Sequence, residues 1–141
     1  KYKSGFGNER VKEVALEDLH EETDVLSVHL PLNNETKYLL NSNFLTNFHK
    51  EIVLLNTSRG EILRTVDLIE LLNGGKILAA GLDVLEDEDL ANYNLEAQTV
   101  FNNLIATNKV LLTPHVAGWS RESGVYLYSV LLNKLDALIV R

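Results

Sequence analysis

The sequence predicts an α/β fold built on a parallel sheet of the doubly wound class. Three observations predict it. Four short runs are apolar at nearly every position, amphipathic stretches separate them, and polar residues follow each run directly. Strands apolar throughout, alternating with helices, imply a parallel sheet covered on both faces. In such sheets a ligand lies beyond the carboxyl ends of the strands.

The first run is Val25-Leu-Ser-Val-His-Leu30, stopped by Pro31. Residues 42–48 read as a short helix, and 52–56 as a second buried strand. From Thr65, the apolar positions Val66, Ile69 and Leu72 fall at helical spacing, and Gly74-Gly75 ends that helix as a cap would. Ile77 to Val84 is a third strand, rich in Ala and Gly. The stretch 86–109 begins as an acidic loop and predicts a short helix near 94–104. Val110 to Thr113 is a fourth strand, stopped by Pro114. Ser120 reads as an N-cap to a long helix over 121–140, with Leu127, Leu131, Leu135 and Leu138 along one side.

A chain of 141 residues with a hydrophobic fraction of 45% is one domain with enough apolar material for a core. A net charge of −7 argues against a nucleic-acid surface, which needs clustered Lys and Arg. No apolar run approaches the roughly 18 residues of a membrane span, and the start, Lys-Tyr-Lys-Ser-Gly, has no apolar signal region. Cysteine is absent, which excludes disulfides, thiolate chemistry and zinc held through Cys. A cytoplasmic protein fits these features.

Polar residues at the strand ends are the candidates for chemistry. Arg59 can fork two hydrogen bonds onto a carboxylate, and Gly60 beside it permits a tight turn or close approach. A surface Arg at a strand end is the plainer alternative. His115, stiffened by Pro114, can exchange protons near neutral pH, or it can serve as a helix cap. Asp83, Glu86, Asp87, Glu88 and Asp89 form an acidic cluster. One of these acids could hold the His115 ring, or the cluster could be a solvated charge run. Its spacing lacks the regular ligands and mid-loop Gly of hard-cation sites, so no metal is expected. His20 and His49 read as exposed, and His29 as a strand-end residue lining a pocket through its backbone. Gly5-Phe-Gly7 is no dinucleotide fingerprint, because no strand precedes it and Arg10 stands at the last position.

Taken in order, the strand ends resemble the D-isomer-specific 2-hydroxyacid dehydrogenases. The matching stretches are Thr23-Asp-Val-Leu-Ser-Val-His-Leu-Pro-Leu with Glu35-Thr36, then Leu55-Asn-Thr-Ser-Arg-Gly60. Ala80-Gly-Leu-Asp-Val-Leu-Glu-Asp-Glu88 and Leu112-Thr-Pro-His-Val-Ala-Gly118 follow. The resemblance runs from about residue 16 to the end and implies a Rossmann-type NAD-binding domain.

It also implies roles. Arg59 would bind the substrate carboxylate and carbonyl, His115 would act as the acid/base, and Glu88 would pair with it. Asp83 would contact the nicotinamide carboxamide. The backbone around His29, Leu30 and Pro31, with Thr57, Ala117 and Gly118, would contact NAD. The implied partner is a small 2-hydroxy or 2-keto acid, with a homodimer for the parent protein. The implied alternative is a non-catalytic NAD-sensing protein, like the corepressors that share the fold.

Asp89 stands where the family usually has Pro, and the loop 89–109 is longer than the common form. Both features resemble a phosphoglycerate dehydrogenase-like subgroup, with 3-phosphoglycerate as the implied substrate. Methionine is absent, including at position 1. The expectation is therefore a fragment, the C-terminal portion of the NAD-binding domain. The family's GxGxxG half and substrate domain are expected ahead of residue 1, and the piece alone is expected to be inactive.

Overall fold

A computed structural model describes residues 5–139. Lys1 to Ser4, and Val140 at the end of the expected last helix, lie outside the described residues. Nine elements follow one another: α1 (Leu16–Glu22), β1 (Val25–Val28), α2 (Ser42–Leu45), β2 (Ile52–Asn56), α3 (Thr65–Asn73), β3 (Ile77–Leu82), α4 (Leu95–Ala106), β4 (Val110–Leu112) and α5 (Arg121–Ile139). Short 3-10 turns at Gly60–Ile62 and Leu90–Asn92 join them.

The four strands form one parallel sheet in chain order, β1-β2-β3-β4. The register aligns Leu26, Leu54, Ala80 and Val110 in one row, and Val28, Asn56, Leu82 and Leu112 in the row two residues on. Both rows face a single core, closed by Leu45 and Phe48 around α2, Leu68, Leu71 and Leu72 of α3, and Leu104 of α4. The intervening row of Ser27, Leu55, Gly81 and Leu111 faces the other way, and Leu111 is 70% exposed. Leu78, the extra residue where the β2–β3 register shifts, is also exposed.

The sheet is thus covered on one face among the described residues, whereas its strand pattern predicted cover on both. Parallel crossovers are almost always right-handed, so strands laid down in one direction collect their helices on one side. Cover on the second face needs a reversal of strand order, and β1 to β4 contain none. All four strands are apolar on both faces nonetheless.

His20 departs from its expected exposure. It is half-buried, and its ring meets Phe44 and Phe48 edge-on, with centroids 5.3 and 4.9 Å away. An imidazole is apolar enough on its faces to share an aromatic cluster. His49 is exposed as expected and pairs with Glu21 at 2.8 Å. Ser120 accepts a hydrogen bond from the Ser123 amide at 3.0 Å, the N-cap geometry expected ahead of α5. α5 buries no residue, and Leu127, Leu131 and Leu138 are exposed. Among the described residues no helix is long and apolar enough to cross a membrane.

Candidate active site

The carboxyl ends of the four strands share one edge of the sheet, and each carries its polar residues into the loop beyond. After β1, Ser27 Oγ and His29 Nε2 lie 2.9 Å apart. Asn33 forms an Asx turn by accepting from the amides of Glu35 and Thr36, and Thr36 donates its hydroxyl to the Pro31 carbonyl at 2.6 Å. His29, Leu30 and Pro31 thus form a fixed wall. With Ser58 and Arg59 they line a cavity of about 520 Å³.

After β2, the fully buried Asn56 shapes the next loop. Its side-chain oxygen accepts from the Ser58 amide, and its Nδ2 donates to the Arg59 carbonyl, both at 3.0 Å. Ser58 donates its hydroxyl to the Val28 carbonyl at 2.7 Å, which ties this loop to the end of β1. Arg59 is extended, and its Nη1 donates to the Ser58 carbonyl at 2.6 Å. Among the described residues its guanidinium faces no carboxylate within ion-pairing distance. Thr57 lies beside it and lines a second cavity of about 340 Å³ with Asp83, Thr113 and Ala117.

After β3, Asp83 is buried and holds the segment that carries His115. Its Oδ1 accepts from the Thr113 hydroxyl at 2.5 Å and the Val116 amide at 2.9 Å, and its Oδ2 from the Ala117 amide at 2.9 Å. Burial works to raise the Asp83 pKa. Hydrogen bonds from Thr113, Ala117 and Val116, with the charge of His115, outweigh it and hold the carboxyl below its ordinary value.

After β4, His115 adopts a left-handed backbone with φ +56°, uncommon for a residue bearing a side chain. The clamp by Asp83 on both sides of His115 holds it there. Its Nδ1 lies 2.9 Å from Glu88 Oε2, and both side chains are 46% exposed. A carboxylate at Nδ1 fixes the ring tautomer and leaves Nε2 as the nitrogen free for proton transfer. Behind the pair, Leu85, Leu90, Phe101, Leu112 and Pro114 line an apolar cavity of about 360 Å³.

Of the residues singled out from sequence, Glu88 and His115 are in direct contact, and Asp83 accepts from the consecutive amides of Val116 and Ala117. Arg59 stands two strands from His115, roughly 10 Å away at the usual strand spacing. Gly118 follows in the loop leading to Ser120, beside Trp119, which is 83% exposed. Asn56, Ser58 and Glu86 lie in stretches the sequence singled out, but their structural roles were not assigned from it. Asn56 had a signal, since an Asx residue ending an apolar strand two positions before Ser offers an Asx turn. Glu86 had none, because its partner lies 21 residues earlier.

Comparison with known proteins bears on the fold and the family. The family model described as "D-isomer specific 2-hydroxyacid dehydrogenase, NAD binding domain" matches residues 2–117. A glyoxylate reductase of Aeropyrum pernix is 44% identical over 124 residues, covering 87% of this chain and 34% of that protein. A hydroxypyruvate reductase of Blautia hydrogenotrophica is 31% identical over 132 residues, covering 94% and 38%. Among solved structures, a D-lactate dehydrogenase from Aquifex aeolicus complexed with NAD and lactic acid superposes with a TM-score of 0.72. It is 26% identical, with 89% of this chain and 40% of that one covered. The NAD-complexed D-isomer specific 2-hydroxyacid dehydrogenase of Lactobacillus delbrueckii ssp. bulgaricus gives 0.76 at 26% identity, over 89% and 40%. The chain spans between a third and two fifths of the length of these relatives.

Proposed function

Because the chain belongs to the D-isomer specific 2-hydroxyacid dehydrogenase family, as its NAD-binding domain, we propose that the whole protein interconverts a small 2-keto acid and its D-2-hydroxy acid. The observation that carries this reading is the His115–Glu88 pair, 2.9 Å apart, on the same sheet edge as Arg59, which pairs with no carboxylate among the described residues. Reducing a 2-keto acid needs a proton donor, an anchor for the carboxylate and a reductant. His115, its ring held at Nδ1 by Glu88, donates the proton to the carbonyl oxygen from Nε2. Arg59 anchors the carboxylate, and its planar fork fixes the direction in which the carbonyl presents itself.

The strand ends fit a dinucleotide. The backbone of His29, Leu30 and Pro31 walls one cavity, while Thr57, Asp83 and Ala117 line the next along the same edge. Gly118 follows Ala117 in the loop. When bound, NADH supplies the hydride. Among the described residues Asp83 Oδ2 accepts one hydrogen bond, so it retains capacity for an amide donor such as a carboxamide.

The names of the relatives, reductases or dehydrogenases of glyoxylate, hydroxypyruvate and lactate, favour an unphosphorylated acid of two or three carbons over 3-phosphoglycerate. An intact Arg59, Glu88 and His115 favours an enzyme over a non-catalytic NAD sensor. The whole protein forms a homodimer in this reading, and the exposed apolar residues of α5 support some partner for that helix. A monomer by light scattering at micromolar concentration would remove the dimer.

Replacement of His115 by Ala in the full-length enzyme tests the function. Turnover of glyoxylate, hydroxypyruvate or pyruvate should fall by roughly 10²–10⁴-fold while NADH binding persists. Near-normal turnover in that variant overturns the assignment. NADH-dependent capture of a protein partner without any turnover would establish the sensor instead.

A further inference from the structure

The loop that carries Glu88 is tied down two residues earlier, at Glu86. α3 starts at Thr65, and the preceding residue, Arg64, makes no side-chain cap. The Thr65 amide, one of the four at a helix start without an internal partner, donates instead to Glu86 Oε1 at 2.6 Å. Arg64 does not compete for this carboxylate, because its guanidinium pairs with Asp67 at 3.7 Å. On one side of Glu86, the Leu85 carbonyl is packed against Gly60, the residue after Arg59. On the other side, Glu88 reaches His115.

We propose that Glu86 is a positioning residue. By capping α3 it fixes the backbone of residues 85–88, and so sets the Glu88 carboxylate against His115 Nδ1. The same cap registers that pair against the Arg59 loop, because α3 is the helix into which that loop leads. Glu86 touches no substrate and acts only through Glu88.

This inference rests on the proposed roles of His115 and Glu88, but its test does not require turnover. The tautomer of His115 is read from its ring ¹⁵N shifts in the whole chain, with Glu88→Ala as the reference for an unpaired ring. Thr65→Pro removes the donated N–H. Proline suits the first position of a helix, and Arg64 is already extended, with φ −89° and ψ 110°, as a residue before proline must be. Thr65→Pro should move the His115 Nδ1 shift at least halfway to the Glu88→Ala value. Glu86→Gln, which keeps an acceptor oxygen, should move it less than a quarter of the way. An unmoved shift in Thr65→Pro overturns the proposal even if thermal stability falls, and so does Glu86→Gln moving as far as Thr65→Pro. Should the Cα shifts of residues 66–73 show α3 unwound in Thr65→Pro, Glu86→Ala is read on the same scale with the same two outcomes. Normal turnover in His115→Ala would overturn the proposed reaction, whereas an unmoved tautomer overturns only the positioning.

Discussion

Gly60 is packed directly against the backbone of Leu85: a Cβ on Gly60 would lie 1.8 Å from the Leu85 oxygen and 2.5 Å from the Glu86 nitrogen. Both neighbours are main-chain atoms, so no side-chain rotation can make room. Gly60→Ala must push apart the loops after β2 and β3. The expected loss is about 1–3 kcal/mol, the range of an overpacked core, read as a lower urea midpoint with an unchanged slope. A variant within about 0.5 kcal/mol of wild type, the range of ordinary surface changes, would show that the two loops slide freely.

Asn56 is the buried polar residue that shapes the Arg59 loop. Asn56→Leu leaves the Ser58 amide and the Arg59 carbonyl without their partner. Unfolding measurements should show a loss of about 1–3 kcal/mol. On the proposed reaction, the whole protein's KM for the keto acid should rise, because the backbone that aims Arg59 loses its template.

Arg59→Lys keeps the charge and loses the fork. Loss of a charge-assisted hydrogen bond, about 1.5–3 kcal/mol, corresponds to a rise of roughly 10–100-fold in the KM for the 2-keto acid. NADH affinity should stay within about twofold, since the lost bond in this reading is to the substrate carboxylate. Steady-state kinetics with varied keto acid separates the two effects, and an unchanged KM would place the carboxylate elsewhere.

Asp83 makes the fold acid-sensitive in a defined direction. Its carboxyl is held below the ordinary value of 3.8, because the bonds from Thr113, Ala117 and Val116 outweigh the effect of burial. The folded chain therefore takes up this proton less readily than the unfolded chain. Its contribution is fully present above the unfolded pKa and is lost as pH falls through the folded one. The gap in urea midpoint between wild type and Asp83→Asn should narrow as pH is lowered from about 5 to about 2. A gap that stays constant across that range would show that the charge of Asp83 is not what holds the His115 segment.

Periodicity located most of the fold. The run 52–56 forms β2 at those limits, and the helix from Thr65 ends one residue before Gly74. β1 stops at Val28 rather than Leu30, because His29 and Leu30 turn away into the cavity wall that Thr36 braces. The helix expected near 94–104 runs from Leu95 to Ala106, with Asn94 as its N-cap. The layer arrangement was harder to read. An apolar strand face looks the same whether or not a helix lies on it, so Leu55 and Leu111 gave no sign that their side is open. Within the site, the His115–Glu88 contact followed from the motifs, but the bonds that hold the loops in place did not. Asp83 to Val116, Glu86 to Thr65 and Ser58 to Val28 all join residues far apart in the chain, and local sequence carries no record of them.

Strand order also bears on how the chain assembles. Among the described residues each strand pairs with those immediately before and after it in sequence. As the polypeptide leaves the ribosome, β2 finds its template already made in β1, and β3 and β4 each extend an edge that exists. Among the described residues no pairing skips over an intervening strand, which limits the loop-closure entropy that slows parallel sheets. Within these four strands β4 is the last to be made, and it brings His115 to a Glu88 that precedes it in the chain.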